Sequence, residues 1–264
     1  MSDGGRLYER AAPAGADLGP LWFLDEGRTF FVGPLLYNAP HQHGAPVYLA
    51  GIYGPFGLRI AGGPWQTCRT ALIPAGVVHE LDVGGEPIAV FYIEPSVDGA
   101  HALAPLVGNA HEEHGALVGR TGALPLMREL WERPDSAGWV GTALGDLVDF
   151  SRRRARATID PRVARVVAAI SRADGELLPV SMLAQQVGLS PSRLQHLFTC
   201  EMGIPFRRYR AWNRMRRAIG EISRGSNFTA AAHAAGFADQ AHFTHDFRRT
   251  FGAAPSQSLR GLRQ

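Results

Sequence analysis

One segment of this chain is written twice. Leu183 to Pro205 (LAQQVGLSPSRLQHLFTCEMGIP) and Ala231 to Pro255 (AAHAAGFADQAHFTHDFRRTFGAAP) can be laid over each other. Ala184 falls on Ala232 and Gly188 on Gly236, each 48 residues apart, and Leu189 falls on Phe237. After a one-residue shift, Leu194 falls on Phe243, Phe198 on Phe247 and Gly203 on Gly252, each 49 apart. A repeat at near-fixed spacing limits a chain to architectures that use one supersecondary unit more than once.

Each copy has the order of a helix-turn-helix. A small residue (Ala184, Ala232) allows a second helix to cross closely, and a glycine four residues later supplies the left-handed backbone of the turn. Ser190 and Asp239 stand where an N-cap is needed. The second helix of copy one would bury Leu194, Leu197 and Phe198, leaving Ser192, Arg193, Gln195, His196 and Thr199 outside. Copy two would bury Phe243 and Phe247, leaving Gln240, His242, Thr244, His245 and Arg248. These polar side chains are long enough to reach base edges in a major groove. Between the copies, Tyr209, Trp212, Met215 and Ile219 recur at helical spacing. One helix over 205–219 can therefore hold both units in successive major grooves about 34 Å apart. It would bring Arg207, Arg208, Arg214 and Arg217 near the phosphates.

Charge supports a polyanionic partner for this half only. Residues 1–150 carry 8 Arg against 17 acidic residues, and residues 151–264 carry 19 Arg against 7. Every fixed cation is Arg, whose planar donors suit phosphate and guanine.

Residues 160–262 resemble the DNA-binding domain of the AraC/XylS family of transcription regulators. The resemblance rests on LAQQVGLSPSRLQHLF, FTAAAHAAGFADQAHFTHDFRRTFGAAPSQ and the Gly-x-x-Pro from Gly252 to Pro255. It implies base contacts from Ser192, Gln195 and His196 in one unit and from His242 and His245 in the other. Histidines stand here where the family often has long basic side chains. The resemblance also implies a double-stranded operator, a homodimer and RNA polymerase as partner of an activator; the two unpaired cysteines and the lack of a signal-peptide or membrane-span pattern make a cytoplasmic location the default expectation.

Residues 28–95 read differently. Short runs rich in Val, Ile, Phe and Tyr are punctuated by Gly33-Pro34, Gly54-Pro55, Gly62-Gly63-Pro64 and Gly84-Gly85, which predicts an antiparallel sandwich or barrel. Two histidines in NAPHQHGAPVY (Asn38 to Tyr48) and one in IPAGVVHEL (Ile73 to Leu81) resemble the two motifs of the cupin barrel. In AraC-type regulators such a barrel senses a ligand. Metal-binding cupins usually supply a Glu after His-x-His; Ala45, Pro46, Val47 and Tyr48 stand there instead. His41 and His43 can share a strand face and His79 can join them from another strand. Three outcomes stay open: a divalent transition metal on His41, His43 and His79; an organic effector in a pocket that Tyr37, Tyr53 and Trp65 help to line, with Trp22, Phe31 and Tyr92 as further aromatics; or structural histidines.

Residues 101–157 read as helical. Leu126, Met127, Leu130 and Trp131, then Leu144, Leu147 and Val148, mark apolar stripes that pad the barrel or form a dimer seam. Arg152 to Thr158 reads as a linker. The expected organisation is thus a two-domain β plus all-α chain: a cupin-like sensing barrel over 1–100, a helical dimerisation or linker region over 101–157, and a double helix-turn-helix domain over 158–264. Cys68 and Cys200 show no metal-ligand spacing, and Cys200 reads as a packing residue. The first residues lack the apolar core of a signal peptide, and no run of about 18 apolar residues predicts a membrane span. The expected function is an effector-controlled, sequence-specific regulator and not an enzyme. The alternative is a metal-dependent cupin enzyme, of dioxygenase or isomerase type, fused to a helical domain.

Overall fold

The structure is a computed structural model and describes residues 19–94, 103–122, 124–152, 159–173 and 178–259. Both expected domain boundaries, and the linker beyond Arg152, lie outside the described residues. Eleven strands form two antiparallel sheets among the described residues. They are β1 (Leu21–Leu24), β2 (Arg28–Pro34), β3 (Tyr37–His41), β4 (Val47–Gly51), β5 (Phe56–Ile60), β6 (Gln66–Cys68), β7 (Thr70–Ile73), β8 (His79–Asp82), β9 (Pro87–Ile93), β10 (Val107–Glu113) and β11 (Ala116–Gly122). The larger sheet runs β1-β2-β9-β4-β7-β11-β10 and the smaller β3-β8-β5-β6.

The larger sheet is covered on both faces, which explains why β4 and β9 are apolar throughout instead of alternating. Phe31, Leu49, Val90 and Tyr92 face the smaller sheet, where they meet Phe56, Leu58, Ile60 and Leu81. Phe30, Tyr48, Ala50 and Phe91 face the other way, onto helices α1 (Leu124–Glu132) and α2 (Val140–Arg152). The stripes of α1 and α2 therefore pad the barrel: Met127, Leu130, Val140, Leu144 and Val148 are buried there, so these faces form no open dimer seam. The helical reading of 101–157 is corrected at its start, because residues 107–122 form the β10–β11 hairpin. Polar Asn109, His111 and Glu112 on the exposed edge strand hid the strand pattern.

The carboxy-terminal half is helical: α3 (Pro161–Arg172), α4 (Val180–Gln186), α5 (Pro191–Met202), α6 (Phe206–Ser223), α7 (Phe228–Ala234), α8 (Gln240–Phe251) and α9 (Pro255–Ser258). The repeat is realised as expected. Gly188 and Gly236 turn with φ of 68° and 78°. Ser190 Oγ accepts from Arg193 N, and Asp239 Oδ1 accepts from His242 N at 2.7 Å. Both second helices end on a left-handed glycine, Gly203 and Gly252. Replacing Asp239 by alanine orphans an N-terminal amide of α8. It should cost about 1 kcal/mol, read as a lowered midpoint in denaturant unfolding. Among the described residues, no helix is long and apolar enough to cross a membrane.

One of the two buried clusters among the described residues runs through both halves: it joins residues of the sheets to residues of α3 to α8 and to Leu259.

Candidate effector site and DNA-binding surface

The three histidines meet. His41 and His79 are direct partners across the β3–β8 ladder, next to a register irregularity between Asn38 and His41. Such irregularities re-aim side chains. His43 lies two residues past His41, and its carbonyl accepts from Gly76 N. Ring centroids are 4.3 Å (His41–His79), 4.8 Å (His41–His43) and 5.0 Å (His43–His79) apart. All three are buried, at 1–3% exposure.

Hydrogen bonds fix two of the rings. His41 Nδ1 donates to Ala39 O at 2.7 Å and His79 Nδ1 donates to Val77 O at 3.0 Å. Each therefore keeps a lone pair on Nε2. His43 Nε2 lies 3.3 Å from Tyr92 Oη. His43 Nδ1 and His79 Nε2 have no protein partner, and neither has Asn38 Oδ1. Burial disfavours the imidazolium form, lowering His41 to about 4 and His43 and His79 well below the usual histidine range. The neighbouring rings add to the shift at His43 and His79. The cluster is neutral at pH 7, the form in which imidazole binds metals. Glu80, next to His79, faces the other side of β8 and takes hydrogen bonds from Arg59 Nε and Tyr37 Oη, so among the described residues no carboxylate enters the group.

The site is closed by the other half of the molecule. Phe251, the last residue of α8, and Trp212 of α6 lie 5.7 Å and 6.0 Å from the His43 ring. Asn38 Nδ2 donates to Phe251 O at 2.7 Å, Ala39 N to Gly252 O at 3.0 Å, and Trp22 Nε1 to Ser258 O at 2.8 Å. Two glycines permit this closeness. A Cβ at Gly44 would sit 2.6 Å from Trp212 Cγ, and one at Gly252 would sit 2.7 Å from His41 Nδ1. The first unit docks in parallel fashion: a Cβ at Gly76 would sit 2.6 Å from Ile204 Cγ2, just past Gly203. The carboxy-terminal ends of both second helices thus rest on the two histidine-bearing segments. The remaining cavity beside His41, His43, Asn38, Tyr92 and Phe251 measures about 30 Å³.

A second knot ties the halves together. Glu94 accepts from Tyr209 Oη at 2.5 Å and Trp212 Nε1 at 2.9 Å, and pairs with Arg216 Nη1 at 3.0 Å. Arg216 also donates to Thr29 Oγ1 and to the carbonyls of Asp25 and Arg28. Beside this knot lies a cleft of about 320 Å³ lined by Arg210, Arg214, Arg217 and Arg224 opposite Asp25 and Glu26.

Several expected site residues lie elsewhere. Tyr37 and Trp65 pack on each other on the outside of the smaller sheet, at 47% and 45% exposure. Tyr53 faces α1, where its hydroxyl donates to Glu132. None of the three lines the histidine cavity; Trp22, Phe31 and Tyr92 do. Strand alternation sends half of all aromatics outward, and composition does not tell which half. Arg214 turns inward, pairing with Asp246 and stacking over Phe237, and Arg217 lines the cleft, so neither faces outward with Arg207. Cys200 is exposed, not packed.

Ser192, Arg193, Gln195, His196 and Thr199 of α5 are exposed, as are Gln240, His245 and Arg248 of α8; His242 is half-buried. Arg207 is exposed and Arg208 half-buried. Desolvation, together with the neighbouring guanidinium groups of Arg249 and Arg207, lowers the Arg208 pKa. Three like charges held this close favour a polyanion as partner.

Residues 183–261 match a family model described as a helix-turn-helix domain. The arabinose operon regulatory protein of Escherichia coli K12 is 34% identical over 86 residues, 32% of this chain and 30% of that protein. Its counterpart in Salmonella typhimurium LT2 is 35% identical over 83 residues, 31% of this chain and 30% of that protein. The matched region thus spans less than a third of these curated relatives. Among solved structures, ToxT from Vibrio cholerae superposes with a TM-score of 0.58 at 12% identity, covering 88% of this chain and 98% of that one. ToxT with an unsaturated fatty acid bound gives 0.56 at 14% identity, covering 89% and 95%. These likenesses establish the two-part fold across most of the chain. The carboxy-terminal part, residues 183–261, is thus similar to the helix-turn-helix domain of the arabinose operon regulatory proteins, and it is carried behind an antiparallel barrel in a fold shared with ToxT.

Proposed function

We propose that this protein is a sequence-specific transcription regulator whose DNA-binding domain is controlled by a small effector at the barrel. The observation that carries the reading is the polarity of α5 and α8. Their polar faces are exposed, while their carboxy-terminal ends rest on the histidine-bearing segments of the barrel. Whatever alters those segments alters the support of both recognition helices, and an effector acts by favouring one arrangement of them.

The effector we propose for this site is smaller than the fatty acid of the ToxT complex. Pockets for organic ligands run roughly 300–1,000 Å³, whereas the cavity beside the histidines, about 30 Å³, is of the size that holds a single water. The same closure by Phe251 and Trp212 disfavours a catalytic cupin, since no organic substrate reaches the histidines in this arrangement. A second copy of the chain and, for an activator, RNA polymerase complete the proposal. Sedimentation of the chain with its operator checks the first.

Selection of genomic fragments at physiological salt tests the reading, and a defined recognition sequence is expected. Gln195→Ala should relax specificity at one base position by about 1–3 kcal/mol, with stability within about 0.5 kcal/mol of the parent. Arg207→Ala should weaken all sequences alike and reduce the salt slope by about 1. Binding without sequence preference would sink the proposal.

A further inference from the structure

We infer that His41 Nε2, His43 Nδ1 and His79 Nε2 hold one divalent transition metal ion, with a water or hydroxide as fourth ligand, and that this ion is the effector that fastens the DNA-binding domain to the barrel. The inference rests on the regulatory reading above and specifies its effector.

The donor set comes first. One ring nitrogen of each of the three histidines already lies within 4.8 Å of the others. Nitrogens about 2.1 Å from a tetrahedral ion stand about 3.4 Å apart, so small ring movements complete the site. Two of the three donor atoms, His43 Nδ1 and His79 Nε2, are buried without a protein partner. Buried polar atoms are rarely left so unless a ligand or water serves them. His41 and His79 give their other nitrogens to backbone carbonyls, the arrangement that fixes the tautomer of metal-binding histidines. Imidazole donors without a thiolate or carboxylate suit Zn²⁺, Ni²⁺, Cu²⁺ and Fe²⁺. Three histidines leave the ion doubly charged in a low-dielectric site, and a bound hydroxide removes half of that charge. The cavity of about 30 Å³ lies beside His41 and His43 and takes one ligand of that size.

The same residues carry the coupling. Asn38 lines that cavity with an unpartnered Oδ1, an acceptor for the metal-bound water, while its Nδ2 holds Phe251 O. Ala39, two residues before His41, holds Gly252 O. Drawing the three rings together fixes the segment from Asn38 to His43, on which Phe251, Gly252 and Trp212 rest. In this chain a residue pair from the helical half, Phe251 and Trp212, packs against His43.

Full-length protein treated with chelator and titrated with Zn²⁺ by calorimetry tests the inference. One ion per chain is expected, with affinity lowered by more than about 100-fold in His43→Gln and in His79→Gln, and by about 10-fold in Asn38→Ala. Co²⁺ absorption of the parent protein reads tetrahedral nitrogen ligation without any substitution, so the outcome does not depend on how the variants fold. Zn²⁺ should slow amide exchange at residues 249–254 and leave the exposed turns of α5 unchanged. Failure of Zn²⁺, Co²⁺, Ni²⁺ and Cu²⁺ to bind stoichiometrically, or binding that survives both histidine variants, overturns the site. Binding with no change at 249–254 overturns its role as a fastener. Fragment selection with and without Zn²⁺ separates the two proposals: metal binding without DNA preference removes the regulator and keeps the site, and DNA preference without metal binding does the reverse.

Discussion

Glu94→Ala should separate the two halves of the molecule without unfolding either. Tyr209, Trp212 and Arg216 lie 3 and 4 residues apart on α6, one stripe of the helix, and all converge on the Glu94 carboxylate. Glu94 and Arg216 are 1% and 6% exposed, so the pair is desolvated. Removing one partner of such a pair costs about 3–5 kcal/mol, because the other charge stays buried and unpaired. The hydroxyl of Tyr209 and the indole N–H of Trp212 lose their acceptor in the same step. Undocking is the alternative: it exposes the apolar core the two halves share but relieves the buried charge. If α6 leaves the barrel, all three groups reach water and the penalty falls on docking, not on the fold of either half. The expected results are a larger radius of gyration in solution scattering, red-shifted tryptophan emission, and two thermal transitions where the parent shows one. Glu94→Gln keeps an acceptor but not the charge, and should fall between. A compact variant with a single transition within about 0.5 kcal/mol of the parent would mean that the knot does not hold the halves together.

This knot was not legible in the sequence, and the reason is physical. Arg216 stands in a run of arginines on a helix of an Arg-rich domain, where the general expectation is a solvated or phosphate-facing side chain. Trp212 falls on the apolar stripe of α6 and reads as part of that domain's own core. It is core, but core shared with the barrel. Contacts between segments more than 100 residues apart leave no period to detect. By contrast, the repeat announced the helices, their glycine turns, the caps Ser190 and Asp239, and the buried Leu194, Phe198, Phe243 and Phe247, because local geometry dictates residue type there. The histidine cluster was half legible. Spacing put His41 and His43 together, and resemblance added His79. Nothing in the sequence indicated that Asn38, Phe251 and Trp212 close the site. The β10–β11 hairpin escaped for a third reason. An edge strand exposing Asn109, Ala110, His111 and Glu112 in succession has almost no alternation to show.

Two glycines in matched positions separate helix capping from docking. Gly203 and Gly252 end α5 and α8 with nearly the same left-handed backbone, φ of 69° and 71°. Alanine at either pays the cost of that conformation, about 1–2 kcal/mol. Their surroundings differ. A Cβ at Gly203 would stand 3.4 Å from Ala75 O, an ordinary contact. A Cβ at Gly252 would stand 2.9 Å from Ala39 N and 2.7 Å from His41 Nδ1, and would press on Ala39 O as well. Two of these three neighbours are backbone atoms, so no rotamer change relieves the clash, and overpacking adds about 1–3 kcal/mol. Gly203→Ala should therefore lower stability by about 1 kcal/mol with the halves still docked. Gly252→Ala should lift the end of α8 off β3, breaking the Ala39–Gly252 and Asn38–Phe251 hydrogen bonds and admitting water to the histidines. Amide exchange at 39–43 should rise in the second variant alone, and scattering should show the extended form that Glu94→Ala also adopts. The exposed polar faces of α5 and α8 are untouched by either change, so affinity for DNA fragments with the domain undocked reads what docking does to DNA binding. Equal effects of the two alanines on exchange at 39–43 would show that α8 is not seated on the barrel through Gly252.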